Sequence, residues 1–226
     1  VKRIFLFLQP ENTIMSKKKI AFFTIIIAVV LDQIIKIYVK THFKLDQSVK
    51  IFDWFRINFV ENNGMAMGIE LGGSTGKLFL TLFRLVAVVG IIYWLMNIIK
   101  NNIHTLIVLA VSLIFAGAVG NIIDSVFYGV IFDSSSHQVA TLFADQPHGK
   151  LFHGKVVDMF YFPIWEGTWP EWIPFIGGES ARFFNYIFNP ADAYITIGVS
   201  LLFIFNKRAF PKDQNKHKKI TDQTPL

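Results

Sequence analysis

Residues 103–124 read IHTLIVLAVSLIFAGAVGNIID, an apolar block from Ile103 to Ile123 that closes on two polar side chains, Asn121 and Asp124. A membrane helix needs about 20 consecutive, mainly apolar residues, and this block is that long. Ala116, Gly117 and Gly120 are small enough to let another helix approach closely. Asn121 and Asp124 lie three apart and therefore share one helical face. Helix packing accounts for the glycines; it does not account for paired polar side chains at the end of a span.

Outward from that block, three more apolar segments stand at about 20–39, 78–99 and 190–205. The chain of 226 residues is 53% hydrophobic and only 17% charged, well to the apolar side of a soluble domain. Its apolar residues, 24 phenylalanines among them, gather in blocks rather than at amphipathic periods. The net charge of +6 sits beside these blocks, at Lys17 to Lys19 and from Lys207 to Lys219, so it orients the chain in a bilayer and implies no nucleic-acid partner. Cysteine is absent, which excludes disulfides, thiolate zinc sites and a cysteine nucleophile.

The expected fold is therefore all-α and membrane-embedded: four transmembrane helices, a small extracytoplasmic β-rich segment and an interfacial aromatic segment. Four spans put both termini on one side, and the lysine-rich ends with the short turn 100–102 place that side in the cytoplasm. Residues 41–77 and 124–189 then face outward. In the first of these, residues 49–60 alternate and are rich in aromatics, which favours strands. The second is long for a connection. It holds a polar part, 133–155, with His137, His148 and His153, and an aromatic part, 163–174, with Trp165, Trp169 and Trp172, which suits the headgroup level. The domain division is 1–19, a cytoplasmic segment; 20–206, the four-span body; and 207–226, a basic cytoplasmic tail. Met15, followed by Ser16 and three lysines, resembles a natural start, with residues 1–14 an upstream extension.

Ionisable residues inside spans are costly and are functional candidates by default. Asp32 and Lys36, four apart, form an expected structural ion pair. Asn62 and Gly64 lie in a turn-like stretch, Glu61-Asn62-Asn63-Gly64. Asp158 sits among apolar neighbours in Val156-Val157-Asp158-Met159. Asn189-Pro190-Ala191-Asp192 opens the fourth span with an N-cap, a proline at the first helical position and an acid in the first turn. Each has a plain structural explanation on its own. No G-x-S-x-G or H-E-x-x-H motif is present, so a pair of aspartates is the peptide-hydrolysing chemistry that survives. Two close carboxylates share one proton, so one takes a proton from water while the other donates to the carbonyl oxygen. A proton-relay transporter built on Asp32, Lys36 and Asp192, and a noncatalytic assembly factor, remain alternatives on these residues.

Taken in order, Asp32-Gln33 with Lys36, Asn62-x-Gly64, Gly120-Asn121-x-x-Asp124, Val156-Val157-Asp158 and Asn189-x-Ala191-Asp192 resemble bacterial lipoprotein signal peptidase, or signal peptidase II. The resemblance spans roughly residues 18–206. It implies catalytic Asp158 and Asp192, with Asn62, Gly64, Asn121, Asp124 and Asn189 binding substrate or supporting the site. It implies no cofactor and no metal. It further implies an inner-membrane aspartyl endopeptidase, active at the outer face, that cuts before the diacylglyceryl-modified cysteine of prolipoproteins. Membrane lipids and globomycin-type inhibitors are the other expected partners, and a monomer the expected state. Two departures stand out. Ser125 replaces the arginine usual after the aspartate matching Asp124, so any charge there comes from elsewhere, with Arg182 one source. The polar stretch around 133–155 looks like an insertion, and its histidines show no metal-ligand spacing.

Overall fold

The computed structural model describes residues 15–63 and 73–205. Four helices form its skeleton: α1 (Lys17–His42), α2 (Gly73–Lys100), α3 (Thr105–Ile131) and α4 (Pro190–Ile204). The first three are long and apolar enough to cross a membrane, and α4 is a shorter apolar helix. Phe79, Val86 and Tyr93 on α2 are 69%, 72% and 77% exposed, a face that water would disfavour and acyl chains accept.

Helix α3 is the hub, packed against the other three. Its small residues make this possible. A Cβ at Gly117 would lie 2.3 Å from the Ala191 carbonyl oxygen, and one at Gly120 would lie 2.4 Å from Asp32 Oδ2. Glycine at these two positions thus lets the start of α4 and the middle of α1 touch α3. The sequence places the end of this helix near Ile123, but it continues to Ile131, which puts Asp124 inside the helix. The polar stretch that follows folds back on these last turns: Gly154 N donates to Ser125 O (2.9 Å), Phe152 N to Val126 O (3.0 Å) and Gly149 N to Gly129 O (2.9 Å).

The strand-like segment forms β1 (Ser48–Phe52) and β2 (Phe55–Asn62), joined by β3 (Val156–Tyr161), β4 (Trp165–Thr168), β5 (Ser180–Phe183) and β6 (Ile187–Phe188). Strands β1, β2, β3 and β6 make an antiparallel sheet in that order, and β4 pairs with β5. One face of the sheet presents Phe59, Val157 and Met159, all wholly buried, to Val39, Tyr128 and Phe132 at the ends of α1 and α3. Side chains alternate along a strand, so Asp158 points to the opposite face. Val60 lies opposite Asp158 and Asn62 opposite Val156, which brings Asn62 to Asp158 on a diagonal. The aromatic stretch beyond β4 exposes Trp172 (81%) and Phe175.

The polar stretch 133–155 is tied down. Lys44 bridges Val139 and Phe132 bridges Leu142. Ser135 Oγ donates to Glu61 Oε1 (2.7 Å) and accepts from Lys40 Nζ (2.9 Å), while Lys40 and Lys155 pair with Glu61. His148 and His153 each place Nδ1 2.9 Å from a backbone carbonyl, of Phe132 and Leu151. No cluster of metal-ligating side chains occurs among the described residues.

Candidate active site

The start of α4 organises the site. Asn189 Oδ1 accepts from Asp192 N (3.0 Å), and Asp192 Oδ2 accepts from Asn189 N (3.4 Å), a reciprocal cap over Pro190 at the first helical position. The cap fixes the Asp192 carboxylate in the first turn, where free backbone N–H groups and the helix dipole favour negative charge.

Asn189 then reaches across to β3. Its Nδ2 donates to Asp158 Oδ1 (2.5 Å) and to Asn121 Oδ1 (3.2 Å). Asn121 Nδ2 donates in turn to Asp192 Oδ1 (2.8 Å), so two carboxamides link the two aspartates. Asn62 Nδ2 approaches the other oxygen of Asp158 at 3.2 Å. Asp158 is 3% exposed, whereas Asp192 is only partly buried. Burial, and after it the nearby charge of Asp192, pushes the Asp158 carboxyl up to about 7, against the lowering effect of the Asn189 and Asn62 hydrogen bonds.

Beneath this pair lies a buried ion cluster. Lys36 Nζ is 2.8 Å from Asp124 Oδ2, 3.1 Å from Asp32 Oδ2 and 2.9 Å from Asn121 Oδ1. Gln33 Nε2 bridges Asp32 and Asp124 at 3.0 Å each, and Tyr128 OH donates to Gln33 Oε1 at 3.1 Å. Both acids also hold backbone. Asp32 Oδ1 accepts from Ala191 N (3.0 Å), and Asp124 Oδ2 from Val157 N (3.3 Å). Ala191 and Val157 are the residues immediately before Asp192 and Asp158.

The structure thus brings Asn62, Asn121, Asp158, Asn189 and Asp192 together, with Asp32, Lys36 and Asp124 as the layer below. Gly64 lies outside the described residues, and so does the side chain of Arg182. The sequence reading missed Arg84. It sits inside the second span, and its Nη1 is 3.3 Å from Ser125 Oγ. A charge within an apolar block is the signal that could have found it, though it names no partner. Gln33, noted only as part of a motif, joins the two buried acids.

Residues 24–207 match the family model described as signal peptidase (SPase) II. The lipoprotein signal peptidase of Porphyromonas gingivalis (strain W83) is 53% identical over 182 residues, covering 80% of this chain and 79% of that one. That of Amoebophilus asiaticus is 34% identical over 223 residues, covering 94% and 89%. A solved bacterial membrane enzyme is similar with a TM-score of 0.54 and 25% identity, covering 86% of this chain and 92% of its own. By sequence, by fold and by the order of its polar residues, the chain belongs to the signal peptidase II family, whose function is removal of the signal peptide from prolipoproteins.

Proposed function

We propose that Asp158 and Asp192 are an aspartic dyad that hydrolyses the peptide bond before the diacylglyceryl-modified cysteine of bacterial prolipoproteins. The observation that carries this reading is the chain of carboxamides, Asn189 and Asn121, that holds both carboxylates in one site. Asp158, buried and pushed up to about 7, keeps a proton near neutrality and serves as the initial acid. Asp192, at the helix start and partly open, serves as the base. Asp192 takes a proton from water as the oxygen attacks the scissile carbonyl carbon, and Asp158 gives its proton to the carbonyl oxygen. Collapse of the tetrahedral intermediate breaks the C–N bond and returns a proton to the leaving nitrogen. The roles exchange within the cycle, so titration belongs to the pair. Asn62, Asn121, Asn189 and Gly64 support the dyad or bind the peptide, and Asp32, Lys36 and Asp124 hold the frame.

The peptidase body comprises residues 20–206 in the cytoplasmic (inner) membrane, flanked by cytoplasmic 1–19 and the basic tail 207–226. The dyad faces outward, where a lipidated substrate keeps its acyl chains in the bilayer while its scissile bond meets water. Globomycin-type peptides occupy the same cleft, and one chain suffices for activity. Purified protein in liposomes, given a diacylglyceryl-modified precursor, releases the signal peptide and leaves the lipidated cysteine as the new N-terminus by mass spectrometry. A product cut elsewhere, or equal cleavage of the unlipidated precursor, contradicts the proposal.

A further inference from the structure

Arg84 lies on α2 among lipid-facing neighbours: Leu82, Phe83 and Val86 are 47%, 61% and 72% exposed. Its own side chain turns inward. Arg84 Nη1 is 3.3 Å from Ser125 Oγ, and that hydroxyl donates to Asn121 O (2.8 Å), the residue whose side chain holds Asp192. Ser125 directly follows Asp124, so this contact sets the guanidinium beside Asp124 and within electrostatic reach of Asp192 and Asp158. A guanidinium inside a span costs several kcal/mol unless buried anions repay it.

The charges around the dyad come from every helix packed there. Helix α1 supplies Asp32 and Lys36, α2 supplies Arg84, and α3 supplies Asp124, while Tyr194 on α4 lies within reach of Asp32. Around the opposite face of the sheet Lys40 and Lys155 share the one carboxylate of Glu61. Lys36 is committed to two carboxylates, so with a singly protonated dyad the cluster holds three negative charges against it. Among the described residues, Arg84 is a second cation facing this cluster.

We propose that Arg84 is a positioning residue whose permanent charge sets the pH window in which the Asp158–Asp192 pair carries one negative charge. This rests on the dyad reading above. Arginine stays protonated at all working pH values, so its field acts throughout that window. A cation nearby favours each ionised form and lowers both steps of a coupled titration. Its removal therefore moves both limbs of the activity profile to higher pH.

The test is the pH profile of kcat/KM on the lipidated precursor for Arg84→Gln, Arg84→Lys and the double variant Arg84→Gln/Ser125→Arg. Arg84→Gln is expected to move both limbs upward by roughly one unit. Arg84→Lys, which keeps the charge, is expected to leave both limbs in place, and the double variant, which returns a guanidinium from the adjoining helix, to bring them back. An Arg84→Gln profile with unmoved limbs, whatever its loss of kcat, overturns the proposal. Should that variant not fold, Arg84→Met takes its place with the same two outcomes. Asp158→Asn and Asp192→Asn are assayed alongside. Activity in either sinks the dyad itself, whereas two inactive aspartate variants with unmoved Arg84→Gln limbs sink only the role given to Arg84.

Discussion

Lys36 and Asp124 meet at 2.8 Å with both side chains wholly buried, and the same Asp124 oxygen accepts the backbone N–H of Val157. One ion pair thereby joins α1 and α3 to the strand that carries Asp158. The matching contact, Asp32 to Ala191 N, joins α1 to the helix that carries Asp192.

Breaking this cluster costs fold before chemistry. Lys36→Met leaves two carboxylates buried without their cation, a loss on the order of 3–5 kcal/mol. The expected outcome is a large fall in Tm in detergent, with Asp124→Asn falling less because its one amide oxygen still accepts from Val157 N and Asp32 still pairs with Lys36. A Lys36→Met protein as stable as wild type contradicts the role assigned to the cluster.

A second expectation concerns pH. The folded pKa of Asp158 is raised from 3.8 to about 7, so the neutral form is favoured in the folded protein. Its contribution to stability is present below about pH 4 and is lost as pH rises through about 7. Asp158→Asn, neutral at every pH, is therefore expected to match or exceed the wild-type Tm at pH 8 while being inactive. Wild-type kcat/KM is expected to fall as pH rises through the same region, because the donor proton is lost. A Tm for Asp158→Asn far below wild type at pH 8 contradicts the burial of an acid that resists ionisation.

The brace around Glu61 behaves oppositely. Burial alone would raise this carboxyl, but Lys40, Ser135 and Lys155 hold it down at about 2, from an ordinary 4.5. Its stabilisation is present above about pH 4.5 and is lost only as pH falls through about 2. Glu61→Gln strands the buried Lys40 ammonium and is expected to cost on the order of 3 kcal/mol, read as a lower Tm at pH 7. Since Glu61 adjoins Asn62, kcat falls as well. An unchanged Tm contradicts the brace.

Asn62→Ala removes one donor to Asp158 without opening the core. The expected effect is a 10- to 100-fold loss of kcat, on the order of 1–3 kcal/mol, with Tm nearly unchanged. Full activity would remove Asn62 from the site.

Much of this architecture was legible in the residues. Apolar blocks of span length gave the helices, and the Asn189-Pro190-x-Asp192 signature marked the start of α4 because capping is a local interaction. The partners of Lys36 were only half visible: spacing by four predicts Asp32, but Asp124 reaches it from α3, against which Gly120 leaves room for the Asp32 side chain of α1. The true end of α3 was hidden because Val126, Tyr128 and Ile131 pack on the sheet and the returning loop, contacts with no local signal. Arg84 was hidden for a related reason, since an isolated charge names no partner until helices are placed side by side.

The most direct measurement is cleavage of a diacylglyceryl-modified precursor by Asp158→Asn and Asp192→Asn, each shown to be folded. A shared proton between these two side chains predicts at least a thousandfold loss of kcat in both. Turnover near the wild-type rate in either folded variant contradicts the account.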